Sequence, residues 1–131
     1  MLVAALKGVA ALFAALILIQ AILAGRGWYV DFDLIRVHGF VGNAVFLLSA
    51  GLVALVYLAG LRGPTLLLSG AIFLLVFGQV GLGYAGRESA MSASLHVPNG
   101  VLLFGLTTAV CMLIFDSRRS ILTEPVRQRE G

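Results

Sequence analysis

Four uninterrupted apolar runs, each close to the length of a membrane crossing, leave this chain few ways to fold. They cover residues 2–24, 37–60, 65–84 and 95–115 of a 131-residue chain. About 20 apolar residues carry a helix across the hydrocarbon core. Inside lipid, every backbone N–H and C=O must be satisfied by the helix itself or by a closed barrel. The runs show no period-two alternation and are about twice as long as barrel strands require. Each is therefore predicted to be a transmembrane helix. Composition agrees, because 11% of residues are charged and 60% hydrophobic, against about 25% charged in a soluble domain. So few charges cannot cover a globular surface. The expected fold is an all-α four-helix transmembrane bundle over residues 1–115, followed by a charged tail over 116–131. The lipid bilayer is its first partner.

The first run has the look of a signal peptide, with a short basic start and an apolar middle. Ile22 stands where a cut after Ala24 would want a small residue, so a retained helix is expected. Lys7, the only charge in that run, is expected to snorkel to the headgroups. The loop over residues 25–36, GRGWYVDFDLIR, carries Trp28, Tyr29 and Phe32, which suit the interfacial belt. Asp31 and Asp33 keep it out of the core. Residues 61–64, LRGP, read as a tight turn with Pro64 opening the third helix. Residues 85–94, AGRESAMSAS, form a second polar loop.

Lysine and arginine orient the bundle. Lys7, Arg62, Arg118, Arg119, Arg127 and Arg129 lie on the side of the termini, and Arg26, Arg36 and Arg87 on the other, diluted by Asp31, Asp33 and Glu88. Both termini are thus expected in the cytoplasm. Eight arginines against one lysine, with abundant Ala, Gly and Leu, are associated with GC-rich bacterial genomes, which points to a bacterial cytoplasmic membrane. The net charge of +3 is too small and dispersed for nucleic acid. Cys111 is the only cysteine, so neither an intrachain disulfide nor a cysteine metal site is possible. It reads as a small hydrophobe.

The second and fourth helices open alike. VHGFVGNAVFLLS and LHVPNGVLLFGLT each place Gly four residues after His (Gly42, Gly100), Phe eight after (Phe46, Phe104) and a hydroxyl eleven after (Ser49, Thr107). These offsets recur on one helical face. The preceding helices echo each other too. Gln20 precedes His38 by eighteen residues, Gln79 precedes His96 by seventeen, and Ala-Gly-Arg ends both segments (24–26 and 85–87). A duplicated helical hairpin is expected. With two helices between the copies, they share one orientation, a parallel repeat about an axis along the membrane normal.

His38 and His96, the only histidines, are expected in the first turn of helices entering from the outer side, at one depth. Polar side chains in membrane helices usually face the interior and often mark function. Two imidazoles so placed can grip one haem iron from both faces, as its metal ligands. Gly42 and Gly100 would give the porphyrin room, or else mark close helix packing. Arg26, Arg36 and Arg87 can pair with haem propionates, or serve as interfacial anchors. Gln20 and Gln79 can support the ligands, or bond between helices. Interfacial histidines with satisfied hydrogen bonds are the plain alternative for the pair. Two histidines without a third ligand make a weak zinc or copper site, and no acid is partnered to His for a serine-type triad. No catalytic residue is assigned.

The stretch GQVGLGYAGRESAMSASLHVPNGVLLF (78–104) resembles the Gln-x-x-Leu-Gly…Leu-His…Leu-Leu-Phe run of haem A synthases. Those enzymes contain two four-helix halves, each with a His pair at the outer ends of its second and fourth helices. This chain looks like one half, over about residues 10–115. The resemblance implies haem-binding architecture. The family's catalytic glutamate falls three residues before the first-half His, a position held here by Ile35, and the cysteine pair of many bacterial members is missing. The expected function is a bis-His cytochrome carrying one haem b per chain and passing electrons to or from a quinol or a redox protein. The alternatives are a cofactor-free accessory subunit of a larger respiratory complex and a haem-modifying enzyme rebuilt as a homodimer.

Overall fold

The computed structural model describes residues 1–123, with side chains through Asp116. Its elements are α1 (Leu2–Tyr29), α2 (Asp33–Leu58), α3 (Pro64–Ala85) and α4 (Ala90–Thr123). All four are long and apolar enough to cross a membrane, α4 over Ala90–Asp116. The helices form a square ring in chain order: α1 packs on α2 and α4, and α3 packs on the same two. The diagonal helices α2 and α4 meet through the side chains of His38 and His96. The chain is a multi-pass membrane protein with an all-α four-helix bundle.

Several helix ends differ from the expected ones. α1 continues past Ala24 to Tyr29, α2 starts at Asp33 instead of Val37, and α4 starts at Ala90 instead of Leu95. The connections at the end opposite the N-terminus shrink to residues 30–32 and 86–89. Continuing each helix satisfies its backbone groups where the chain leaves lipid, and Trp28 and Tyr29 can occupy the interfacial belt while helical. The amides of Val30 and Asp31 both donate to the Arg26 carbonyl, and those of Glu88 and Ser89 to Ala85. At the opposite end, Gly60 (φ 77°) and Gly63 (φ 57°) shape the turn into α3, a conformation glycine adopts without strain. Pro64 follows as the first residue of α3.

α4 also runs beyond Phe115, through Thr123, so the first half of the expected tail is helical. Residues 124–131, with Arg127 and Arg129, lie outside the described residues, as do the side chains of Arg118 and Arg119. Lys7 is tied within the bundle. Its Nζ donates to the Phe115 carbonyl at 3.1 Å and stands 5.0 Å from the Phe115 ring centre.

Burial follows the repeat with a constant register. In α1, Leu6, Ala10 and Phe13 are buried, and in α3 their equivalents fifty-nine residues on, Thr65, Ser69 and Ile72. In α2 the buried set is Val45, Ser49, Leu52 and Val56, and in α4, fifty-eight residues on, Leu103, Thr107, Val110 and Ile114. Spacings of three and four keep each set on one face. Steric demand inside the bundle is therefore two-fold, well beyond the short motifs that suggested duplication.

Candidate functional site

The same register places Gln20 with Gln79, Gly42 with Gly100 and His38 with His96. All lie between the apolar layers that contain Val45 and Leu103 and the end of the bundle opposite the N-terminus. His38 and His96 sit on the diagonal helices α2 and α4, in the second helical turn because both helices start early. Their half-buried rings meet near the bundle axis, with centres 6.0 Å apart and planes at 69°.

Each ring is held the same way. His38 Nδ1 lies 3.0 Å from the Gln20 carbonyl oxygen, and His96 Nδ1 lies 3.0 Å from the Gln79 carbonyl oxygen. A carbonyl can only accept, so Nδ1 carries the proton and Nε2 keeps its lone pair. A ligating histidine is commonly fixed in this way, with its second nitrogen donating to a backbone carbonyl. The sequence paired each Gln with its His correctly, but the shared contact comes from the main chain.

The glycines are sites of close packing, one of the two roles open to them. A Cβ on Gly42 would stand 2.8 Å from Gln20 Nε2, and one on Gly100 would stand 3.1 Å from Gln79 Nε2. The room they leave is taken by the two carboxamides, which pack between neighbouring helices, and not by an open porphyrin face. Nor does the structure bring the arginines to the histidines. Exposed Arg36 pairs with Asp33 at 2.9 Å, Arg87 lies over the Tyr84 ring at 5.0 Å, and Arg26 is exposed near the end of α1.

Sequence reasoning missed several residues. A Cβ on Gly83 would stand 3.1 Å from His96 Cε1, so this glycine lets the ring lie against α3. Gly27 faces Ile35, and Gly86 faces the Ala93 backbone. These are equivalent contacts, seven residues after each Gln against three before each His, and that spacing was available as a signal. Asn99, beside Gly100, donates through Nδ2 to Gln79 Oε1 at 2.6 Å and to the Leu75 carbonyl at 3.1 Å. Its first-half equivalent is Val41, which has nothing to donate. Gln79 Nε2 in turn reaches His96 Nε2 at 3.3 Å, a long hydrogen bond. Gln20 Oε1 is buried without a partner.

No cluster of three or more His, Cys, Asp or Glu occurs among the described residues, so two imidazole nitrogens are what the protein offers a metal here. A macrocycle supplying the other ligands suits that donor set. A metal–imidazole bond is about 2 Å and the ring centre lies about 1 Å behind the nitrogen, so two rings on one metal have centres about 6 Å apart. The observed 6.0 Å and both tautomers fit. Ligation by His96 requires the Gln79 amide to leave its Nε2. Comparison of the chain with family models, with curated proteins and with solved structures finds no match.

Proposed function

We propose that this protein is a membrane cytochrome holding one haem b between His38 and His96. The observation that carries this reading is the diagonal imidazole pair, 6.0 Å apart, with each Nδ1 tied to a main-chain carbonyl. Haem bound there supplies a one-electron iron couple. His38 and His96 bind through Nε2, and the Gln20 and Gln79 carbonyls hold their planes and tautomers. The layers of Val45, Leu52, Leu103 and Val110 beneath the pair keep that side of the site dry. A haem held by both imidazoles would serve electron transfer more readily than oxygen chemistry. The positive-inside bias puts the site toward the outer face, within reach of a membrane quinol or an external redox protein.

Protein purified in mild detergent from haem-replete cells should be red, with a Soret band that shifts on dithionite reduction. His38→Ala should abolish that spectrum and His96→Ala should weaken or shift it. A colourless preparation, or a spectrum unchanged in both variants, rejects the reading.

A further inference from the structure

Among the positions where the two halves differ, Asn99 against Val41 reaches one of the two histidines, through Gln79. On the α3/α4 side, hydrogen bonds run in one consistent direction. Asn99 Nδ2 donates to Gln79 Oε1, Gln79 Nε2 donates to His96 Nε2, and His96 Nδ1 donates to the Gln79 carbonyl. The second hydrogen of the Asn99 amide is held by the Leu75 carbonyl, which fixes the orientation of the whole series. On the α1/α2 side Val41 replaces Asn99, Gln20 Oε1 has no donor, and the hydrogen bond of His38 is at Nδ1.

We infer that the two axial ligands are inequivalent: His38 is the permanent one, and Asn99, acting through Gln79, makes His96 the exchangeable one. This rests on the haem reading above. The His96 lone pair can be used once, either by iron or by the Gln79 amide. Asn99 stabilises the amide-bound alternative and so weakens the sixth iron bond. The position facing His38 is then open to small exogenous iron ligands, such as carbon monoxide on the reduced protein. Asn99 and Gln79 are positioning residues, since they act on iron through His96.

The test is carbon monoxide titration of the dithionite-reduced, haem-loaded full chain, followed by its Soret shift. Wild type should bind the gas in competition with His96, and His96→Ala should retain haem and bind it without competition. Asn99→Val, which gives this position its first-half residue, should weaken apparent affinity roughly threefold to tenfold, the worth of one hydrogen bond. Gln79→Leu should act in the same direction, keeping the test open if Asn99→Val fails to fold. Haem loss to an excess of a haem scavenger should slow by a similar factor in both. Val41→Asn, which offers Gln20 an amide donor, should speed that loss. Two results overturn the inference while leaving the cytochrome standing: carbon monoxide affinities within twofold of wild type in both Asn99→Val and Gln79→Leu, or His38→Ala being the variant that keeps haem and takes up the gas. A chain with no Soret band rejects the cytochrome reading, and this inference falls with it.

Discussion

A single methyl group separates a closed hairpin from a strained one at Gly27. A Cβ there would stand 2.7 Å and 2.9 Å from Ile35 side-chain carbons and 3.0 Å from the Ile35 backbone nitrogen. A side-chain rotation of Ile35 can relieve the first two contacts, but the third requires α2 to move away. Gly39 has nothing within 4 Å of its added Cβ. Gly27→Ala should therefore lower stability by about 1–3 kcal/mol, as overpacking does, while Gly39→Ala should be neutral or slightly stabilising. Thermal unfolding in mild detergent, followed by helical circular dichroism, checks the pair, and equal melting temperatures would contradict the contact. The contrast also shows what could be read at this scale. Gln, His and the +4 glycines stand out because such residues are scarce or special in an apolar chain. What fills the space beside a glycine is not written in spacing, so the sequence leaves Gly42 and Gly100 open between a porphyrin and helix packing, and carboxamides pack there. Asn99 does not stand out in the sequence because the repeat gives it no counterpart, and its importance lies in breaking that repeat.

Helices were legible in number and type, since lipid admits no other use for such apolar runs, whereas their ends away from the N-terminus were not. Asp33 reads as a loop residue on polarity, yet α2 starts there because short connections leave its backbone groups best satisfied by another helical turn. The larger unit is the hairpin. Gly27 against Ile35 and Gly86 against Ala93 close α1 on α2 and α3 on α4 at equivalent points. Each hairpin thus carries its own close backbone approach, and preformed membrane helices associate through such small-residue packing. The histidines are divided, His38 on the first hairpin and His96 on the second. Residues 1–61 and 62–131, expressed as separate chains, should each insert. Neither should show the Soret band of the intact protein, and co-expression should restore at least part of it. A first hairpin that alone gave the full spectrum would show that His96 is not a ligand.

At the scale of the molecule, the two-fold burial register fixes how the halves sit beside each other but not which way the bundle faces. Orientation rests on charge. Lys7 and Arg62 lie at one end of the bundle, and Arg26, Arg36 and Arg87 at the other, where Asp31, Asp33 and Glu88 dilute them. Lys7 is partly engaged by Phe115, so the bias depends heavily on Arg118 and Arg119 just after the fourth span. The single native cysteine makes a direct check simple. Cys111 donates one contact, from Sγ to the Ala10 carbonyl at 3.4 Å, so Cys111→Ser should fold and give a cysteine-free background. Leu2, Val30 and Met91 are 39%, 68% and 70% exposed and can each be replaced by cysteine in turn. In intact cells a membrane-impermeant maleimide should label Val30→Cys and Met91→Cys, and should reach Leu2→Cys only after permeabilisation. The reverse pattern would turn the bundle over and place the imidazole pair near the cytoplasm. The electron partner would then be sought among cytoplasmic carriers instead of outer-face ones, while the geometry of the pair, being internal, would be untouched.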